Sequence, residues 1–202
     1  YIQDPIERMQ LASSDQIFSY VNTGTAYIGG IEVEIKRNLG SLFNASAQSI
    51  NNMTIGFNGS YSYNRIKVDS KKILAESGKP VAPTNVDRPL FGASPYLINF
   101  DYTYKAKWSQ NSFTTFAVVY NVFGKRLFVA GSQGAGDIYE MPVNTLNGAI
   151  NTTIGKRWNV DISVDNILNP YIKYNQEFAD GDLEFARFRR GINAGLTIGY
   201  SF

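Results

Sequence analysis

The chain has no cysteine and no histidine in 202 residues. Disulfides, thiol nucleophiles, thiolate metal sites, imidazole ligands and imidazole bases are therefore excluded together. Any catalysis would have to run on carboxylates, Lys, Tyr or Ser. Charge of one sign is lacking too. Lys+Arg is 19 and Asp+Glu is 17, a net of +2, so there is neither the basic excess of a nucleic-acid binder nor an acidic tail. Long apolar runs are missing: the longest spans only Phe116 to Tyr120. A membrane helix needs about 18 or more such residues, so no helix is expected to cross a bilayer. No signal peptide opens the chain, which does not begin with Met. A mature protein, or a piece of one, is expected.

Aromatics and glycines are abundant instead: 13 Tyr, 13 Phe and 18 Gly. With little charge, that composition points to β-structure with frequent turns. The patterning agrees. In Met53–Asn64, residues Met53, Ile55, Phe57, Tyr61 and Tyr63 share one face, and Thr54, Gly56, Asn58, Ser60 and Ser62 share the other. The same period of two runs through Tyr96–Trp108, Trp158–Asp165 and Ile192–Phe202. It is weaker in Tyr27–Arg37, Thr114–Val122 and Leu146–Ile154. Period two with one apolar face is a strand signature, and no window shows a comparable helical period. Tyr1–Leu11 is extended but poorly patterned, with Pro5 inside it, and suits a strand end or an edge.

About eight strands result. The good ones run about 9–13 residues, longer than the 5–6 usual in globular sheets and matched to the 9–11 of a bilayer-spanning strand. The connections divide as well. Ser109–Ser112 and Gly155–Arg157 are tight turns, whereas Val68–Leu90, the Gly-rich Gly131–Asp137 and Gln176–Arg190 read as longer loops. Short turns at one end and long loops at the other is the pattern of outer-membrane barrels, although Asn38–Asn52 is longer than that pattern wants. The reading is all-β: an antiparallel transmembrane β-barrel. A soluble sandwich or small closed barrel is the rival, because periodicity alone leaves open whether the apolar face meets a core or lipid.

Aromatic placement favours lipid. Trp108 and Trp158 stand at short turns, and Tyr200 and Phe202 end the last strand on the same side. Tyr96 and Tyr120, with Tyr61 and Tyr63, stand near the long-loop ends, giving a girdle at each interface. The polar face carries Glu32, Glu34, Asn99, Asp101, Asp161 and Asp165, which would line a lumen or contact a plug, or form a generically polar wall. Tyr200 and Phe202 also read as the aromatic terminal signal used by barrel-assembly machinery, against ordinary strand aromatics.

Other features carry less. Asp180-Gly-Asp182-Leu-Glu184 offers oxygen ligands but lacks EF-hand spacing, and a solvated acidic loop suits it better. Arg187, Arg189 and Arg190 could pair with those acids or meet lipopolysaccharide phosphates, but are expected to stay solvated. Lys71, Lys72 and Lys79 read as a solubilising set. Asn44-Ala-Ser, Asn52-Met-Thr, Asn58-Gly-Ser and Asn151-Thr-Thr match the glycosylation pattern without meaning in a bacterial barrel. Gly131–Gly136 is no phosphate cradle, since neither Lys-Ser/Thr nor a helix follows. No cofactor is called for, and an enzyme is not expected.

Several runs resemble a family in their order and spacing. They are Asp4-Pro-Ile-Glu, Tyr20-Val-Asn-Thr-Gly, Gly30-Ile-Glu-Val-Glu-Ile, the Arg88-Pro-Leu-Phe-Gly-Ala-Ser-Pro-Tyr segment, Tyr120-Asn-Val-Phe-Gly-Lys-Arg-Leu, Ile138-Tyr-Glu-Met-Pro, Val164-Asp-Asn-Ile-Leu-Asn-Pro and Leu196-Thr-Ile-Gly-Tyr-Ser-Phe. Together they resemble TonB-dependent outer-membrane receptors, those with a carboxypeptidase-regulatory-like extension in particular. The resemblance implies that residues 1–202 are the C-terminal part of one barrel domain, about the last third of a 22-stranded barrel, with plug and N-terminal part absent. It implies import of a scarce nutrient in the bacterial outer membrane. It implies as partners the lipid bilayer and lipopolysaccharide, the barrel-assembly machinery, the rest of the barrel and its plug, and a surface lipoprotein; no nucleic acid is expected. A receptor-fold scaffold subunit and a stand-alone eight-stranded anchor are the alternatives.

Overall fold

Strands form where apolar and polar residues alternate. The computed structural model describes residues 1–10, 17–43, 47–78 and 82–202; Leu11, the Asn44-Ala-Ser run and Lys79 lie outside them. The elements are, in order, β1 (Ile2–Gln3), β2 (Ile6–Gln10), β3 (Phe18–Asn22), β4 (Thr25–Asn38), α1 (Leu39–Phe43), α2 (Gln48–Asn51), β5 (Met53–Lys67), α3 (Ser70–Ser77) and β6 (Asp87–Arg88). Then come β7 (Tyr96–Ser109), β8 (Ser112–Phe123), β9 (Arg126–Val129), β10 (Ile138–Glu140), β11 (Val143–Ile154), β12 (Trp158–Asp165), β13 (Ile172–Phe178), β14 (Gly181–Phe188) and β15 (Asn193–Tyr200).

Seven long strands make an antiparallel meander ordered β4-β5-β7-β8-β11-β12-β15, with β1 beside β4 and β6 beside β5. Its register carries the alternation across every strand. Tyr104, Phe116, Ile150, Ile162 and Leu196 are successive partners in one row. The next row, on the opposite face, is Lys105, Thr115, Asn151, Asp161 and Thr197. The apolar face is not a core: Ile31 is 71% exposed and Leu196 66%. A sheet that presents such a face must meet something apolar outside the chain, and rows of this length suit a bilayer. The sheet is open, with the β1–β4 side and β15 as its two edges. No helix among the described residues is long and apolar enough to cross a membrane.

The core sits elsewhere. Residues 4–24, 68–95, 124–142 and 166–192 all connect strands at the same end of the meander, and their described parts condense into a cap. Strands β14, β13, β10 and β9 form its sheet. The β2–β3 hairpin joins β9 through a parallel bridge at Met9 and Ala130. There the Gln10 amide donates to the Ala130 carbonyl and the Ala130 amide to the Arg8 carbonyl, both at 2.9 Å. Met9, Val21, Ile73, Leu127, Ala130 and Tyr139 form a buried cluster. Helix α3 brings Ile73 to it. Asp69 caps that helix by accepting from the Lys71 and Lys72 amides, and Gly78 ends it at a left-handed φ of 66°.

Three expectations need correction. Tyr1–Leu11 is not one barrel strand: Asp4 turns at φ 54° and Pro5 follows, so β1 keeps only two residues on β4 and β2 turns away into the cap. Gln176–Arg190 is not a loop but most of the β13–β14 hairpin, and Val68–Leu90 contains α3. The surplus length of Asn38–Asn52 is taken up by α1 and α2. Asn38 closes them, its amide donating to the carbonyls of Asn51 at 2.6 Å and Met53 at 3.1 Å.

Candidate functional site

The polar face of the meander is wired across strands. The Asn58 amide donates to Glu32 at 3.0 Å, the Asn99 amide to Asn58 at 3.2 Å, and the Asn121 amide to Thr145 at 3.4 Å. Glu34 stands opposite Asn58 in register. Asp101 lies over Gly56, where a Cβ would come within 2.0 Å of its carboxylate, so a larger residue there would make the carboxylate shift. Asp161 stands between Asn151 and Thr197, and Asp165 opposite Asn193. The six polar positions singled out from the sequence thus share a face, but the structure does not gather them into one site. Glu32 borders an open hollow beside Ser60 and Ser62, and Asp165 reaches a deeper cleft.

That cleft, about 350 Å³, opens between the polar face and the cap. Phe123, Thr145, Asn147, Asp165 and Asn193 line it from the meander, and Arg126, Glu140, Ile172 and Arg190 from the cap. Arg126 binds Glu140 through both Nε and Nη2, each 2.8 Å from Oε2. Its guanidinium lies 4.3 Å from the centre of the Phe123 ring. One turn positions the rest. Asn166 and Asn169 are left-handed, with φ 58° and 42°. The Asn166 amide N–H donates to the Asn147 side chain at 2.8 Å, its side chain donates to the Gly191 carbonyl at 2.6 Å, and the Gly191 N–H donates to Asn169 at 3.2 Å. Asn tolerates αL and bonds its own turn, so these two residues fix where Arg190 leaves the cap. Among the described residues the side chains of Arg190 and Asp165 have no hydrogen-bond or ion-pair partner.

Beside the cleft runs a strip of rings and cations. Arg8 is stacked between Phe18 at 5.1 Å and Phe128 at 4.7 Å. Phe128 meets Tyr174 at 4.4 Å, and Tyr174 meets Phe188 at 6.1 Å. Burial, and then the Glu140 carboxylate, push the Tyr174 phenol up. On the cap's core side Tyr139 is pushed up to about 12 by burial, then by Asp137 and Glu177. Asp137 is a structural anchor for the Gly131–Gly136 loop, accepting from Gly131 N–H at 2.7 Å and from Asn85 at 2.8 Å. The deepest charges are Arg88, 1% exposed, and Glu7, 0%, paired at 2.5 Å. Glu7 also accepts from the Phe91 amide at 3.0 Å.

The remaining positions fall as follows. Trp158 pairs in register with Tyr200, their rings 4.7 Å apart, and Tyr200 meets Phe202 at 5.1 Å. Trp108 is exposed at the end of β7; Tyr96 and Tyr120 are half-buried at the other end. Asp180 and Asp182 sit at the β13–β14 turn, and no group among the described residues has three carboxylates placed for a metal. Arg187 pairs with Glu184 at 3.4 Å, and both Arg187 and Arg189 lie over Tyr171, at 4.9 and 4.0 Å. Lys72 is paired with Asp4.

Sequence reasoning missed Arg126, Glu140, Arg8 and the Glu7–Arg88 pair. Four of these stood inside quoted runs, Glu7 at the end of Asp4–Glu7, Arg126 in Tyr120–Leu127, Glu140 in Ile138–Pro142 and Arg88 at the head of its own. Glu140 alone had a local signal, a single charge between Tyr139 and Met141; Arg8, Arg88 and Arg126 each have a charged neighbour and looked like ordinary solvated positions.

Comparison with known proteins matches residues 2–167 to the family model described as TonB dependent receptor-like, beta-barrel. Neither curated proteins nor solved structures yield a match. The match spans six of the seven meander strands and, of the cap, β2, β3, β9 and β10. The chain belongs to the TonB-dependent receptor β-barrel family, receptors and transporters of the bacterial outer membrane.

Proposed function

We propose that the chain is the C-terminal part of the barrel of an active importer that brings a scarce nutrient across the outer membrane. In this reading the apolar face meets lipid, and the polar face with Glu32, Glu34, Asn99, Asp101, Asp161 and Asp165 lines the lumen. Trp108, Trp158, Tyr96 and Tyr120 sit at the two interfaces. The cap lies outside the cell and captures ligand, and Tyr200 and Phe202 are read during assembly. Inter-strand bonds satisfy the wall's backbone within lipid. The supporting observation is the cap: three connections share one core, the fourth joins them by pairing β13 with β10, and together they enclose a polar cleft against the wall. A mere anchor has no need of that.

The stand-alone eight-stranded barrel has less support, because among the described residues the meander has only seven long strands and its edges at β4 and β15 do not pair. The test is depletion of a defined mixture of small nutrients by cells with and without the protein, with and without a protonophore. A compound removed only by energised cells that carry the protein supports import. No such compound, in a protein still found in outer membranes with lipoprotein partners, replaces the importer with a scaffold.

A further inference from the structure

The cleft contains two guanidinium groups and two carboxylates, so it balances to neutral. One pair is spent internally, since Arg126 holds Glu140 through two donors. That leaves one cation, Arg190, and one anion, Asp165, each lining the same cleft and each without a partner among the described residues. A ligand with a single charge would satisfy one of them and oppose the other. A neutral ligand would engage neither charge. A ligand carrying opposite charges at its two ends satisfies both.

The positions are built rather than incidental. The Asn166–Asn169 turn holds Gly191 through both asparagine side chains, which fixes the residue before it, Arg190. Asp165 is held by register opposite Asn193 on β15. Polar groups suited to a peptide link stand beside them. Thr145 accepts from Asn121 and keeps its own hydroxyl hydrogen to donate, and Asn193 lines the cleft with an amide.

We propose that this cleft binds a zwitterionic ligand, an amino acid or short peptide with free termini, its carboxylate on Arg190 and its ammonium on Asp165. The assignment rests on the import reading above. A charged, bidentate bond to the guanidinium favours a carboxylate over its amide, and Asp165 favours an ammonium over its acetylated form.

The experiment is calorimetric titration of the purified protein in detergent with trialanine, N-acetyl-trialanine, trialanine amide and the doubly capped peptide. Binding of trialanine is expected, with each cap weakening it about tenfold. In R190Q the amide cap should stop mattering while the acetyl cap still does. In D165N the reverse should hold. Both residues are exposed, and circular dichroism checks that each variant keeps its strands. Equal affinity for free and doubly capped peptide overturns the proposal, and so does absence of trialanine binding at about 1 mM. Failure here is separable from failure of import. Binding with end-charge discrimination but no energised uptake keeps the subsite and removes the importer. Energised uptake of some compound without that discrimination keeps the importer and removes the subsite.

Discussion

Isoleucines on the meander and in the cap are buried in opposite ways. Ile31 and Ile198 are 71% and 62% exposed, whereas Ile73 and Ile138 are each 1% exposed. The residue type is the same, while the setting is not: Ile73 stands on α3 and Ile138 on the short, wholly buried β10. What differs is the solvent that each region is built for. The meander satisfies its backbone strand to strand and leaves its apolar side outward, which is stable only against lipid. The cap has water around it and must make an interior of its own. It draws that interior from three connections far apart in sequence, as when Met9 packs with Leu127 and Ile73. Ordinary burial rules therefore hold in one part of the chain and reverse in the other.

The sharpest way to break this contrast is at the cap's charged centre. Glu7→Ala leaves the Arg88 guanidinium buried and unpaired, a loss of about 3–5 kcal/mol to the cap. Hydrogen exchange in detergent should then rise in β2 and β9 and stay unchanged in β7 and β8. If all four strands lose protection together, cap and meander are one cooperative unit and the division is wrong. Combining Glu7→Leu with Arg88→Met replaces the pair by apolar side chains and should restore much of the protection.

The second prediction sharpens the sidedness of the meander. Ile162 and Ser163 are neighbours on β12 and face opposite ways, Ile162 opposite Leu196 and Ser163 opposite Gly195. Ile162→Arg should cost about 2–4 kcal/mol in a bilayer, because its charge meets hydrocarbon. Ser163→Arg should cost far less, with its side chain on the polar face. Refolding into lipid vesicles against denaturant measures both. Equal losses would mean that the apolar face does not meet lipid.

Much of the meander was legible because period two is a local property, repeated wherever one face of a strand meets a uniform surroundings. Tyr96–Trp108 and Trp158–Asp165 lie within one residue of β7 and match β12. The cap was not legible because its pairings are long-range. Nothing near Met9 announces Ala130, and Arg8 and Phe128 meet only after a hairpin turns back at Pro5. Tyr1–Leu11 misled for the same reason, since a short extended run looks alike on a barrel edge and in a hairpin. Of the site, Asp165 was found because it lies on a patterned strand. Arg190 was set down as solvated, because its place depends on Asn166 and Asn169, a turn whose role shows only once Gly191 is beside it.

The smallest effect concerns alkaline pH and belongs to the cap alone. Tyr139 is held neutral up to about 12, against an ordinary value of 10.0, mainly by burial and then by the carboxylates of Asp137 and Glu177. Below pH 10 the phenol is protonated in both folded and unfolded chains, and the shift has no effect on the pH dependence. Between about 10 and 12 the unfolded chain releases the proton while the folded cap retains it, so stability falls as pH rises. One proton limits the slope to about 1.4 kcal/mol per pH unit. Exchange in β2 and β9 should therefore accelerate from pH 9 to pH 11 more than alkaline catalysis explains. Tyr139→Phe should flatten part of that rise, the remainder coming from Tyr174, whose phenol burial and Glu140 also push up. The same variant should remove the last-titrating phenolate from the ultraviolet absorbance. A Tyr139→Phe cap that loosens with pH as steeply as the native one would show that its ring, though buried, carries no share of the titration.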